Sequence, residues 1–154
     1  MKNTLELKIP PVAVLLVLAS IAWFSVKIFP VLGLDFPFNV SVSAVLGLIG
    51  CGLTIAGARS FYRAGTTVNP LKPETTTTLV REGIYRYSRN PIYLGLAIIL
   101  LSWGIYLSHL LSLIFVIAFV VYMNFFQIQP EERTLQKLFG ACFDRYKRRV
   151  RRWL

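Results

Sequence analysis

Four long runs of apolar residues constrain this chain more than any other feature. They lie at about 12–29, 40–58, 91–107 and 110–129. A helix needs about 20 apolar residues to cross a hydrocarbon core roughly 30 Å thick, and the third run is short enough to need Pro91 or some bilayer thinning. Backbone amides in lipid must be hydrogen-bonded within their own segment, so each run is predicted to be a helix. Because only 16% of the residues are charged, against about a quarter in soluble domains, we predict an all-α integral membrane protein with about four transmembrane helices.

The positive charges give this arrangement an orientation. Of the 17 Lys and Arg residues, two precede the first run, six lie in 59–89 and eight lie in 133–152. These 16 residues share one side of the membrane if the four spans alternate, so both termini and the loop 59–90 are predicted to be cytoplasmic. This topology explains the net charge of +10 without a nucleic-acid partner. We expect one domain, 1–154, in a bacterial or archaeal inner membrane rather than in the endoplasmic reticulum.

The first run admits a second interpretation. Lys2 and Lys8 followed by an apolar stretch also describe a cleaved signal peptide. The stretch is long for such a segment, and the small-residue cleavage site near Ala19 and Ala22 is weak. We therefore predict a retained first span, and cleavage would leave the orientation of the other three unchanged.

The sequence offers few residues that could form a metal site or a disulfide. His109 is the only histidine and falls in the external turn between the last two runs. Cys51 lies in the middle of the second run and Cys142 on the cytoplasmic side, so no disulfide is expected. The second run also has small residues every four positions, including Gly50 and Thr54, a spacing that favours close helix packing in membranes.

The third run has a well-marked start. Asn90 before Pro91 is typical of a helix N-terminus, and the preceding proline- and threonine-rich loop is unsuited to a long helix. Arg86 and Arg89 lie beside the exposed amides of this helix end. They suit either a bound carboxylate or phosphate, or contact with lipid headgroups, and local physics does not choose between the two.

Polar residues collect at the end of the fourth run. Asn124, Gln127 and Gln129 lie at or near membrane depth, where such side chains tend to face the bundle interior. Glu131 and Glu132 are the only adjacent acidic pair, on a strongly basic side of the membrane. They are either ordinary first-turn acids after a proline or part of a functional site.

A C-terminal amphipathic helix is predicted over 131–153. A basic helix with an aromatic edge lies in the interface of an anionic leaflet, so we expect it to contact membrane lipids or to cover a site between the helices. Its apolar residues recur at helical spacing: Leu135, Leu138, Phe139, Cys142, Phe143, Tyr146, Val150 and Trp153.

Taken in order, these motifs resemble a known family of membrane enzymes, over about residues 57–154. The similarity is to the isoprenylcysteine carboxyl methyltransferases, with the phospholipid N-methyltransferases as close relatives. The matching residues are Gly83-x-Tyr85-Arg86-x-x-Arg89-Asn90-Pro91-x-Tyr93-x-Gly95, Glu131-Glu132-x-x-Leu135 and Phe139-Gly140-x-x-Phe143-x-x-Tyr146. Many members have His where this chain has Asn90. Vertebrate-type members are longer and have more spans.

The resemblance implies a cofactor and a site. The family uses S-adenosyl-L-methionine, bound in a cytoplasmic pocket between the last two membrane helices and the C-terminal segment, and a lipophilic or lipid-anchored methyl acceptor. Carried over by position, Arg89 and Asn90 would be the catalytic residues at the mouth of the pocket. The cofactor-binding residues would be Tyr85, Arg86, Tyr93, Gly95, Glu131 and Glu132.

The residue chemistry suits this cofactor. Glu131 or Glu132 can accept hydrogen bonds from the ribose diol or the ammonium and offset the cationic charge, and the arginines can receive the carboxylate. No general base is evident, so a carboxylate acceptor and an amine acceptor both stay open. The alternatives are a phospholipid N-methyltransferase, an NADPH-dependent membrane reductase and a non-enzymatic membrane protein.

Overall fold

Six α-helices account for most of the residues that the structure describes. The structure is a computed structural model that describes residues 6–67 and 69–154, so Lys2 of the charge count and position 68 of the loop lie outside the described residues. The helices are α1 Pro11–Ile28, α2 Asn39–Arg63, α3 Pro91–Tyr106, α4 Leu111–Tyr122, α5 Gln129–Phe139 and α6 Ala141–Arg149. Short 3₁₀ turns occur at Pro30–Leu32, Pro73–Thr75 and Gly83–Arg86.

Within the described part of the chain, three helical segments are long and apolar enough to cross a membrane. They are α1, α2 and a continuous helix Leu111–Phe139, which contains α4 and α5. The first two agree with the predicted runs, although α2 continues beyond residue 58 to Arg63. The third run forms the apolar helix α3, which starts at Pro91 as predicted but has only 16 residues. The all-helical membrane architecture is therefore confirmed.

The fourth span, to residue 129, and the C-terminal helix, from residue 131, are predicted as separate helices. This prediction is wrong, because α4 continues into α5 through a π-helical turn, Met123–Ile128. A proline inside a helix removes the N–H that would bond to the carbonyl four residues earlier, here that of Phe126. The backbone N–H of Leu7 supplies the missing donor and lies 3.0 Å from the Phe126 oxygen. The wider π turn gives the proline ring room, so the helix passes Pro130 without ending.

The predicted single helix over 131–153 is also wrong. Gly140 adopts φ +46°, in the left-handed region that favours glycine, and this turn separates α5 from α6. The chain becomes extended at Val150, and we call residues 150–154 the C-terminal tail. The tail returns to the bundle, where Trp153 Nε1 donates a hydrogen bond of 3.2 Å to Asn124 Oδ1.

Helices α2 and α3 form the closest packing in the molecule. A Cβ atom built on Gly50 would lie 2.7 Å from the backbone oxygen of Gly95 and 2.8 Å from Ile99 Cγ1. Farther along the same contact, Ser102 Oγ donates a 2.7 Å hydrogen bond to the backbone oxygen of Ser43. The small residues of the second run therefore serve helix packing, as their spacing predicted.

Helices α1 and α4 cover the other side of α3. Val14, Leu15, Leu96, Leu100 and Phe119 are buried in their shared core. The end of this bundle away from the loop 59–90 is closed by the turn that contains His109. That residue is buried, not exposed in the turn, and its Nε2 lies 3.0 Å from the Phe29 oxygen.

The α2–α3 contact gives a first prediction. Gly50→Ala should lower the melting temperature in detergent, because its new methyl group meets backbone atoms of α3, and overpacking of this kind costs about 1–3 kcal/mol. Gly52→Ala is the matched control on the same helix. A Cβ there meets no atom within 4 Å, so it should leave stability unchanged or raise it. Equal melting temperatures for the two variants would contradict this packing.

Candidate active site

A cavity lies where α3 begins, beside the first turn of α5 and the buried face of α6. Its volume is about 110 Å³, and it is partly open to solvent. The loop between α2 and α3 forms its remaining wall. The lining residues are Phe61, Thr67, Asn69, Pro70, Pro73, Thr76, Thr78, Leu79, Val80, Tyr85, Arg89, Asn90, Ile92, Tyr93, Glu131, Glu132, Leu135, Phe143 and Tyr146.

Glu132 forms a two-arginine ion pair at one side of this cavity. Its Oε1 accepts a 2.7 Å hydrogen bond from Arg89 Nη2, and its Oε2 accepts one of the same length from Arg152 Nη2. The Arg89 and Glu132 side chains are only 12% and 17% exposed, so solvent screens their contact weakly. Glu132 thus joins the start of α3, the first turn of α5 and the C-terminal tail.

Arg89 and Asn90 bind the backbone of the C-terminal segment. Arg89 Nη1 donates to the carbonyl oxygen of Val150 at 3.0 Å, and the Arg89 backbone N–H donates to that of Arg151, also at 3.0 Å. Asn90 Nδ2 donates to the Arg152 oxygen at 2.9 Å. The sequence suggested that the Asn90 side chain caps α3. In the structure it makes no capping hydrogen bond and instead holds the tail beside the helix start.

Glu131 has surroundings quite different from those of Glu132. Its Oε1 accepts hydrogen bonds from the hydroxyl of Tyr93 and, at 2.7 Å, from Gln127 Nε2. Gln127 also donates to the Pro70 oxygen at 2.7 Å, which fixes the loop over this carboxylate. Among residues 6–67 and 69–154, no cationic side chain pairs with Glu131. The cavity therefore contains a hydrogen-bonded carboxylate without a counter-charge.

Aromatic side chains form the opposite wall. Tyr146 donates its hydroxyl to the backbone oxygen of Tyr85 at 2.7 Å, and the Phe61 ring packs edge-on against Tyr85 with centroids 5.4 Å apart. Burial raises the pKa of Tyr85 well above its usual value and is also the main cause of the raised pKa of Tyr146. Both phenols are therefore neutral at physiological pH, and the wall presents uncharged ring faces.

The structure brings six of the eight predicted site residues together around the cavity. They are Tyr85, Arg89, Asn90, Tyr93, Glu131 and Glu132. Arg86 lies instead in a separate groove, on the other side of Tyr146. Gly95 does not line the cavity and packs against Gly50 and Thr54 of α2.

Sequence reasoning missed part of the lining. The lining residues of the loop after α2 carry no sequence motif of their own. Their place at the cavity depends on contacts such as that between Gln127 and Pro70, which the sequence does not reveal. Arg152 looked like one more charge on a basic helix, and only the turn at Gly140 brings it back to Glu132. The available signal was a polar Gln127 at the end of an apolar run.

Comparison with known proteins identifies the family. A family model described as phospholipid methyltransferase matches residues 38–142. The chain belongs to the phospholipid methyltransferase family. The match runs from α2 into α6 and includes both glutamates of the cavity, so the resemblance inferred from the motifs is confirmed.

Several curated proteins are similar to this member of the family. Two are named protein-S-isoprenylcysteine O-methyltransferase. The one from Saccharomyces cerevisiae is 32% identical over 122 residues, covering 73% of this chain and 51% of the relative. The one from Schizosaccharomyces pombe is 29% identical over 126 residues, covering 79% and 52%. An uncharacterised protein of Haemophilus influenzae is 46% identical over 63 residues, covering 41% of this chain and all of that protein. The chain thus spans about half the length of the two yeast relatives.

The ion pair of Glu132 gives a second prediction. Glu132→Gln removes the charge that attracts Arg89 and Arg152, and should lower stability by about 1–3 kcal/mol. The tail should then detach more often, so trypsin should cleave after Arg149, Arg151 and Arg152 faster than in the unchanged protein.

Asp144→Asn provides the control, because Asp144 pairs with Lys147 on the surface, where an ion pair contributes little. Its cleavage rate should stay close to that of the unchanged protein. If Glu132→Gln and Asp144→Asn were cleaved equally fast, Glu132 would not be what holds the tail.

Proposed function

We propose that this chain is an S-adenosyl-L-methionine-dependent methyltransferase whose acceptor lies in the membrane, most like an isoprenylcysteine carboxyl O-methyltransferase. Family membership and the names of the two yeast relatives support this activity. The observation that carries it is Glu131, a carboxylate in the cavity without a cationic partner among the described residues. A buried carboxylate of this kind favours a cationic ligand.

The residues of the cavity fit the proposed cofactor. Its ammonium and sulfonium groups would lie near Glu131, whose Oε2 accepts no hydrogen bond within the described chain. The neutral aromatic wall formed by Tyr85, Phe143 and Tyr146 suits a purine ring. Arg89 Nε is buried without a partner among residues 6–67 and 69–154, so this side chain retains a donor for a carboxylate. When bound, the cofactor supplies an electrophilic methyl group.

The chain's own residues would then orient the cofactor and enclose it in the cavity. Tyr93 and Gln127 hold Glu131 in one position, and the pairing of Glu132 with two arginines keeps the tail beside the start of α3. Such pre-organisation and the exclusion of water are the main means by which a methyl transfer can be accelerated without an acid or base.

The absence of an evident base bears on the acceptor. A carboxylate acceptor is already ionised at neutral pH and needs no proton removal, whereas an amine acceptor must first lose one. Among the cavity-lining residues, Glu132 is paired with two arginines, and Glu131 would be occupied by the cationic groups of the bound cofactor. With Glu131 used in this way, a carboxylate acceptor, such as that of a prenylated cysteine, is favoured.

Phospholipid N-methylation is the second candidate, because the matching family is described as phospholipid methyltransferase. A reductase that uses NADPH is less compatible with the cavity. The charge of a Glu131 carboxylate would repel a 2′-phosphate, and Arg152 is already paired with Glu132. A non-enzymatic role would not explain why the buried Glu131 lacks a cationic partner among the described residues.

We further propose that α3 is a fourth span, with both termini, the loop and the cavity on the cytoplasmic side. At about 1.5 Å per residue, 16 residues reach about 24 Å, short of the roughly 30 Å hydrocarbon core. Local thinning of the bilayer, or the residues just after Tyr106, would supply the difference. The basic surface of α6 would then face the anionic leaflet.

Calorimetry on the detergent-solubilised protein tests the cofactor directly. S-adenosyl-L-methionine should bind and NADPH should not. Glu131→Gln should weaken that binding roughly tenfold or more, since hydrogen bonds to charged groups are worth about 1.5–3 kcal/mol. Glu74→Gln is the control, because Glu74 is exposed in the loop and outside the cavity.

S-adenosylhomocysteine refines this test because it keeps the ammonium and lacks the sulfonium charge. If Glu131 acts on the sulfonium, Glu131→Gln should weaken the methyl donor more than its product. If Glu131 acts on the ammonium, both ligands should weaken equally. Unchanged affinity for both would remove Glu131 from the binding site.

The acceptor class can be read from the chemical stability of the product. With a labelled methyl donor, a prenylated cysteine should yield a methyl ester, and mild alkali should release the label as volatile methanol. Phosphatidylethanolamine should take up no label under the same conditions. Alkali-stable label in the lipid, with none on the prenylcysteine, would reverse the order of the two candidates.

A further inference from the structure

A second concave surface lies on the opposite side of Tyr146 from the cavity. Four arginines dominate it, and Glu82 is its one carboxylate, so its net formal charge is +3. We call this surface the arginine groove. Its lining residues are Arg81, Glu82, Gly83, Arg86, Arg145, Tyr146, Arg149 and Val150.

The arginines of this groove lack acidic partners. Other arginines of the described chain, namely Arg89, Arg133 and Arg152, each pair with a glutamate. Within residues 6–67 and 69–154, no side chain of the arginine groove forms an ion pair, and Arg145 donates a hydrogen bond to the sulfur of Cys142, at 3.4 Å. Four like charges around one depression repel each other unless an anion lies between them. The described residues supply no counter-ion for these four arginines, so the counter-ion has to come from a ligand.

The position of the groove indicates the source of that anion. Arg81 and Arg86 lie in the short segment that leads into the apolar helix α3 at Pro91. Arg145 and Arg149 come from α6, whose opposite face, with Phe143 and Tyr146, is buried. The groove is thus close to the level at which the chain enters the bilayer, where lipid phosphates are concentrated.

We propose that the arginine groove binds the phosphate of an anionic membrane phospholipid. Arginine is suited to this ligand because its planar guanidinium donates two parallel hydrogen bonds to phosphate oxygens. The bound phosphate would join α6 to the Gly83–Arg86 turn, two elements that are otherwise linked by the hydrogen bond from Tyr146 to Tyr85.

Occupancy of the groove would also affect the cavity. Tyr146 lines both, and its hydroxyl bond to Tyr85 is part of the aromatic wall. A phosphate that holds α6 in place would therefore raise the affinity of the cavity for its ligand. This consequence rests on the proposed function, whereas lipid binding itself does not.

The test measures lipid binding directly, so that it remains informative if the proposed cofactor is wrong. The full chain in zwitterionic detergent is titrated with dihexanoyl-phosphatidylglycerol, dihexanoyl-phosphatidylcholine or glycerol 3-phosphate, and the dissociation constants are measured by thermophoresis. Phosphatidylglycerol should bind tightest, and Arg145→Gln with Arg149→Gln should weaken it roughly tenfold or more.

Arg148→Gln with Arg151→Gln is the matched control, because it removes two positive charges from exposed neighbouring positions outside the groove. It should change the phosphatidylglycerol affinity less than twofold. Should the first variant fail to fold, Arg81→Gln with Arg86→Gln removes the same charge from the other wall. Equal weakening by groove and control variants would overturn the proposal. So would glycerol 3-phosphate that binds as tightly as the lipid, since the site would then take a soluble phosphate.

Discussion

The contact of Glu132 with Arg89 and Arg152 is the interaction on which the rest of the site depends. It joins three parts of the chain that are far apart in sequence: the segment that leads into α3, the first turn of α5 and the C-terminal tail. Breaking a partly buried pair of this kind is costly, because a charge is left without its partner. The tail directly follows α6, which contributes Phe143 and Tyr146 to the cavity wall, so this contact holds α6 beside the cavity.

Two adjacent glutamates have different tasks because their surroundings differ. Glu132 is neutralised by two arginines and serves the fold. Glu131, one residue earlier, accepts hydrogen bonds from the neutral side chains of Tyr93 and Gln127 and has no cationic partner among the described residues. The same division separates the arginines, since Arg89 and Arg152 are committed to Glu132 whereas those of the arginine groove are not. In this protein, the unpaired charges indicate where partners bind.

Much of this architecture could be predicted from the sequence, because hydrophobic length and proline position act locally. The apolar runs became helices, α3 starts at Pro91, and the small residues around Gly50 mark the closest packing. The course of the chain beyond residue 129 could not be predicted in the same way. The helix passes Pro130 because Leu7, more than a hundred residues away, satisfies the carbonyl that the proline leaves free. Likewise, motif resemblance grouped Arg86 with the cavity residues, but only the three-dimensional course of the chain places it on the other side of Tyr146.

The central claim is that the uncompensated carboxylate of Glu131 meets a cationic ligand inside this cavity. An experimental structure of the chain with S-adenosylhomocysteine in a lipid nanodisc tests it most directly. We expect a ligand nitrogen or hydroxyl within hydrogen-bond distance of Glu131, with both arginine contacts of Glu132 intact. A ligand bound elsewhere, or a Glu131 side chain turned away into solvent, would contradict the account.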